Sequence, residues 1–114
     1  MINKVILSGR IYTIFPNKTL ENDVEFLDFI IANNTNGANN TANFIQIKCY
    51  GHLAKYVKNY QKVGNFIEVE GELRSYRLEN KSILKIIAKK IFCISSSKEA
   101  TDKADASDLI WDDE

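Results

Sequence analysis

The sequence predicts an all-β domain with one short helix, followed by an acidic tail. Three observations carry that expectation. Between residues 4 and 76, apolar and polar residues alternate over four separate windows, the period of a strand with one face buried. A single window, residues 53–60, switches to helical spacing. From Ser95 onward the periodicity is lost and Ser, Lys, Ala and Asp take over, the composition of a segment unable to bury enough surface to fold. The expected division is a domain over 1–94 and a disordered acidic tail over 95–114.

Residues 4–15 form the first strand, with Val5, Leu7, Gly9 and Ile11 on one face, and Pro16-Asn17 supplies a turn. The second strand spans 24–33, where Leu27, Phe29 and Ile31 share a face opposite Phe26, Asp28 and Ile30. Residues 33–43 hold no large apolar side chain and are dense in Asn, which predicts a mobile hairpin loop. In the third strand, 44–50, Ile45, Ile47 and Cys49 suit a core, while Phe44, Gln46, Lys48 and Tyr50 take the other face.

After Gly51, Leu53, Tyr56, Val57 and Tyr60 recur at i, i+3, i+4 and i+7, opposite Lys55, Lys58 and Asn59. That spacing predicts a short amphipathic helix ending near Gly64. The fourth strand, 65–76, turns Ile67, Val69, Gly71 and Leu73 inward and Phe66, Glu68, Glu70 and Glu72 outward. Residues 77–81 make a hairpin tip, and 82–94 form the fifth strand.

Length and composition narrow the function. A chain of 114 residues has room for one ordinary domain. No run approaches the roughly 18 uninterrupted apolar residues of a membrane span, and the opening stretch meets Lys4 and Arg10 too soon for a secretory signal. A cytoplasmic, nucleoid-associated protein is the expectation. Cys49 and Cys93 lie in strand-like runs with no second Cys or His at metal-ligand spacing, so two buried thiols are expected, with no metal and no cofactor. The Asn-X-Ser/Thr sequons at Asn17 and Asn80 follow from an Asn-rich composition.

The net charge of zero hides an asymmetry. Residues 1–94 hold 13 Lys and Arg against 8 Asp and Glu, net +5, whereas residues 95–114 hold 2 against 7, net −5. A basic body suits a polyanionic partner, and an acidic tail can compete for the same surface or recruit a basic protein. Read more plainly, the charges give a solvated body with a solubilising tail.

Five strands with a helix between the third and fourth is the element order of the OB-fold, a five-stranded Greek-key barrel that commonly binds oligonucleotides or oligosaccharides. Single-stranded nucleic acid requires a cationic groove for phosphates and aromatic faces for bases, each stacked base contributing about 1–3 kcal/mol. Phe44, Lys48 and Tyr50 on one strand face meet both demands, and Arg74, Tyr76 and Arg77 offer a second aromatic between cations. Lys81, Lys85, Lys89 and Lys90 extend the phosphate track or simply keep a strand edge soluble. The plain alternative for Phe44 and Tyr50 is barrel cover or a subunit contact. His52 is a lone histidine at the helix start, Ser8 has no base nearby in sequence, and Glu68, Glu70 and Glu72 alternate along one strand face. Nothing there forms a catalytic constellation, so no enzyme activity is expected.

With those residues laid out, the chain resembles the bacterial single-stranded DNA-binding proteins. Asn3-Lys4-Val5-Ile6-Leu7-Ser8-Gly9-Arg10 looks like that family's opening strand, and Phe29-Ile30-Ile31-Ala32-Asn33 its second. Tyr50-Gly51-His52-Leu53-Ala54 is similar to the join between third strand and helix, and Val69-Glu70-Gly71-Glu72-Leu73-Arg74 to the glycine-containing fourth strand. The resemblance implies a homotetramer that wraps single-stranded DNA in replication, recombination and repair, with a tail tip that docks DNA-maintenance proteins. Phe44 and Tyr50 stand where the family keeps stacking aromatics, and Arg74 stands in its basic fourth-strand segment. Arg10, Lys48, Tyr76, Arg77 and Lys85 complete the candidate DNA contacts.

Two departures stand out. Leu78 occupies a region where the family often has a stacking tryptophan. The family typically ends in acids followed by Ile-Pro-Phe; here Leu109, Ile110 and Trp111 sit among Asp108, Asp112, Asp113 and Glu114. Those seven residues are the candidate partner-binding segment, with Trp111 as substitute anchor. The competing reading is an accessory OB-fold adaptor of primosomal or mobile-element type, acting mainly through protein contacts. A nuclease would need clustered acids for a metal.

Overall fold

The computed structural model describes residues 1–34 and 41–96. The expected tail, with its partner-binding segment, and the middle of the Asn-rich loop lie outside the described residues. The elements are β1 (Val5–Ile14), β2 (Lys18–Thr19), β3 (Glu25–Asn34), β4 (Ala42–Tyr50), α1 (His52–Tyr60), β5 (Phe66–Leu78) and β6 (Lys81–Ser95). Five strands close into a barrel in the order β1-β5-β6-β4-β3, with β3 pairing back onto β1. All pairings are antiparallel except a short parallel one between β4 and β6, Ile47 with Ile86 and Lys48 with Ile87. This is the OB-fold, mostly β with one short helix.

Closure depends on β1 serving two neighbours. Its first half, Val5 to Arg10, pairs with β5, and its second half, Arg10 to Ile14, pairs with β3. A bulge at Tyr12 skips the register between Ile11 and Thr13, adding the twist that carries the strand from one neighbour to the other. At the crossing sits Gly9, where a Cβ would stand 2.5 Å from the Ala32 carbonyl oxygen. Gly71 is the matching point on β5, where a Cβ would land on the Ile87 carbonyl. Both glycines are required by close backbone approach.

Alternate residues of β1, β3 and β4, and of β5 as far as Gly71, face the core, while β6 buries Ile86, Ile87 and Ala88 in a row. Ile11, Leu27, Phe29, Ile31, Ile47, Cys49, Ile67 and Val69 are fully buried, and burying each large aliphatic or Phe side chain contributes about 1.5–3 kcal/mol. The helix α1 caps one end of the barrel, packing on β3, β4 and β6 through Ala54 and Val57. Its exit is tied down by a polar chain: Asn65 Nδ2 donates to Gln61 Oε1 at 2.9 Å, and Gln61 Nε2 donates to the Tyr56 hydroxyl at 3.0 Å.

Several expectations need correction. The helix ends at Tyr60, and Gly64 lies in the turn beyond. Tyr60 is 72% exposed, and the buried line instead runs Ala54, Val57, Gln61; the barrel end accepts the small side chains one residue round from the most apolar stripe. Leu73 is 42% exposed because β5 has left the barrel after Gly71. The hairpin tip shrinks to Glu79-Asn80, both at positive φ, with Leu78 still paired to Lys81. Only Cys49 is a buried thiol, held above its ordinary range at about 12 by burial first and by the Asp28 charge second. Cys93 is exposed. The short strand β2, pairing Lys18 with Phe26 and Thr19 with Glu25, has too few residues to leave a period in the sequence.

Candidate nucleic-acid interface

The outward face of β4 carries Phe44, Gln46, Lys48 and Tyr50, whose cross-strand partners on β3 are Ala32, Ile30, Asp28 and Phe26. A third wall comes from the β5–β6 hairpin. Past Gly71 these two strands continue as an arm, with Arg74 opposite Lys85 and Tyr76 opposite Ile83. The arm swings Tyr76 and Lys85 across β4.

The result is a cluster of rings around one ammonium. Lys48 Nζ lies 4.5 Å from the centroid of Phe26, 5.6 Å from that of Tyr76 and 5.9 Å from that of Tyr50. Phe26 and Tyr50 are neighbours, with centroids 6.3 Å apart. Lys85 Nζ sits 5.7 Å from the Tyr76 centroid and 3.5 Å from Asp28 Oδ1. These distances fall within the roughly 6 Å reach of a cation–π contact. Burial, then the neighbouring Tyr76, push the Tyr50 phenol above its ordinary value, while Arg74 pulls the other way. The Tyr76 hydroxyl is buried beside the Tyr50 phenol.

A second aromatic group stands at the other end of the same strand. Phe44 is 59% exposed and meets Tyr12 edge-on, with centroids 4.9 Å apart at 61°. Phe44 and Tyr50 are separated by roughly 20 Å, the length of six strand residues. Arg10 joins the Phe44 end through Ala32, which it pairs with and which in turn pairs with Phe44. The Arg10 guanidinium covers the Phe66 ring at 5.2 Å, and its Nη1 donates to the Gly64 carbonyl at 3.0 Å. Between strand and arm, Phe44, Leu73, Ile83 and Leu84 line an apolar groove.

The structure thus gathers Lys48, Tyr50, Tyr76 and Lys85 into one cluster, sets Phe44 beside Tyr12 at the other end of β4, and lays Arg10 on Phe66 of β5 instead. Arg74 flanks the first cluster on the arm, its guanidinium paired with Glu72 at 2.5 Å on the surface. Arg77 is exposed near the tip opposite Ser82, on the alternate side of the ladder from Tyr76. Phe26, Asp28 and Tyr12 are the site neighbours that strand-by-strand reading misses. Their signal was present in the outward parity of Phe26 and Asp28, but only the β3–β4 register shows which residues they meet. Among the described residues no group of three His, Cys, Asp or Glu stands together as a metal site, and no helix is long and apolar enough to cross a membrane.

An OB barrel whose outward strand face pairs rings with cations defines a binding protein for oligomeric, anionic ligands. The chain belongs to the single-strand binding protein family, whose model matches residues 2–94. No curated protein matches it. Among solved structures it is similar to the mitochondrial single-stranded DNA-binding protein of S. cerevisiae, at 22% identity and a TM-score of 0.71 over 84% of this chain and 97% of that one. It is also similar to the dimeric N-terminal domain of the PriB protein from Thermoanaerobacter tencongensis, at 24% identity and a TM-score of 0.65 over 82% of this chain and 98% of that one. The SSB domain of a Synechococcus protein matches at 12% identity and a TM-score of 0.67 over 81% of this chain and 96% of that one.

Proposed function

We propose that the protein binds single-stranded DNA without sequence preference, as a non-catalytic coating protein of replication, recombination and repair. The observation that carries this reading is the outward face of β4. Two ring clusters, Tyr12 with Phe44 and Phe26 with Tyr50 and Tyr76, stand at opposite ends of the β4 face, with Lys48 and Lys85 against the second. Rings accept bases of any identity, and the cations Arg10, Lys48, Arg74, Arg77 and Lys85 accept phosphates, so affinity arises without reading sequence. In the same proposal the protein acts in the cytoplasm on the nucleoid as a homotetramer. The segment from Asp108 through Leu109, Ile110, Trp111, Asp112 and Asp113 to Glu114 recruits DNA-maintenance proteins, and its deletion should abolish that recruitment.

A second reading is favoured by the likeness to the PriB domain and by the groove of Phe44, Leu73, Ile83 and Leu84: an accessory protein acting mainly through protein contacts. Fluorescence anisotropy with labelled oligo-dT, beside a duplex of equal length and at low and moderate salt, separates the two. Strong single-strand preference that survives moderate salt supports the first reading. Binding that ignores strandedness and vanishes with salt supports the second.

A further inference from the structure

Two lysines of the outward face behave unlike the rest. Every other described lysine is exposed, whereas Lys48 and Lys85 are half-buried. Each is drawn onto the barrel by the protein's own groups: Lys48 by the faces of Phe26, Tyr50 and Tyr76, and Lys85 by the Asp28 carboxylate and the Tyr76 ring. Asp28 is also the cross-strand partner of Lys48. It is the one acid on the outward face of β3 opposite β4 among the described residues. The free face therefore already satisfies itself, its rings covered by a cation and one of its cations by an anion.

We propose that Lys48 and Asp28 are self-ligands, standing in for a base and a phosphate, and that single-stranded nucleic acid binds here by exchange. A base enters the Phe26, Tyr50 and Tyr76 cage in place of the Lys48 ammonium. Lys48 follows its flexible stem outward to a phosphate, and a second phosphate takes Lys85 from Asp28. The exchange runs forward because a stacked base gains at least as much from the rings as the half-buried ammonium does, and because a phosphate released from its counterions competes well with a part-exposed carboxylate. Asp28, whose side chain is partly open to solvent, gives up Lys85 in the exchange and is left to water and mobile cations. The Tyr12 and Phe44 pair has no such internal occupant among the contacts described, so it is the end where a strand docks first. The exchange rests on the single-stranded DNA reading of this face.

Titrating oligo-dT into the full chain across a salt series tests it, using wild type, Lys48→Ala and Asp28→Asn, with melting curves to show that each is folded. Lys48→Ala should bind more weakly than wild type at low salt, lose about one from the slope of log affinity against log salt, and become the tighter binder as salt rises, because the cage is already empty. Asp28→Asn should bind more tightly at low salt with a slope steeper by about one. Should Lys48→Ala not fold, Lys48→Gln serves in its place. A direct readout is the NMR shift of the Lys48 methylenes, displaced by three rings in the free protein and returning toward ordinary positions at saturation. Salt curves for Lys48→Ala that fall below wild type throughout, weaker binding by Asp28→Asn, or Lys48 shifts unmoved at saturation each overturn the exchange. Absence of single-strand preference in the wild type overturns the underlying reading instead.

Discussion

The two sides of β4 can be set against each other residue by residue. Inward, Ile47 and Cys49 are fully buried and Ile45 partly so; outward, Phe44 and Gln46 are exposed while Lys48 and Tyr50 are half-buried. Both sides contain large side chains, yet they answer to different demands. The inner set is chosen for volume, because the barrel interior leaves little room for voids. The outer set is chosen for the faces and charges it shows, and neither a lysine nor a carboxylate opposite it would be tolerated one residue along the strand. Polar atoms on the outward side meet one another, as Lys48 and Lys85 do with rings and Asp28, without helping to fill the core.

That contrast predicts mutations with separate signatures. The largest effect belongs inward: Ile47→Ala should lower the free energy of unfolding by about 2–5 kcal/mol in urea titration, while the remaining folded protein binds as before. Outward, Phe44→Ala and Tyr50→Ala should each weaken single-stranded DNA binding by about 1–3 kcal/mol in anisotropy and leave the urea midpoint nearly unmoved. A midpoint shift as large as that of Ile47→Ala would erase the distinction. Cys49 gives a smaller, pH-tuned signature. Its thiol is neutral in both folded and unfolded chains below pH 9, but above it the unfolded thiol ionises while the folded one, held at about 12, does not. Stability should therefore be flat up to pH 9 and fall between 9 and about 12, with a shallower fall in Cys49→Val. Smallest of all, Arg77→Ala at the arm tip should cut the salt slope of binding by no more than about one.

Strand parity was legible in the sequence where a barrel strand alternates, as in β3 and β4: Leu27, Phe29 and Ile31 face in, and Phe44 and Lys48 face out, as their alternation predicts. Legibility failed at two kinds of place. Leu73 follows the inward parity of Ile67 and Val69, but the alternation carries no record of where β5 leaves the barrel. Tyr60 lies on the more apolar stripe of α1, yet the helix is turned so that smaller Ala54 and polar Gln61 meet the barrel end. The candidate site was half legible for a related reason. Its strand-local members, Phe44, Lys48 and Tyr50, share one face in sequence, whereas Phe26, Asp28 and Tyr76 join them only through register between strands far apart in the chain.

The two cysteines carry one more consequence. Cys49 is sealed in the core with its proton held to about pH 12, and its Sγ donates to the Leu27 carbonyl at 3.6 Å; Cys93 is open to solvent on β6. A maleimide dye at neutral pH thus has a single address. One adduct per folded chain should appear by mass spectrometry and two after denaturation, so the native sequence already carries its own attachment point for a fluorescent reporter.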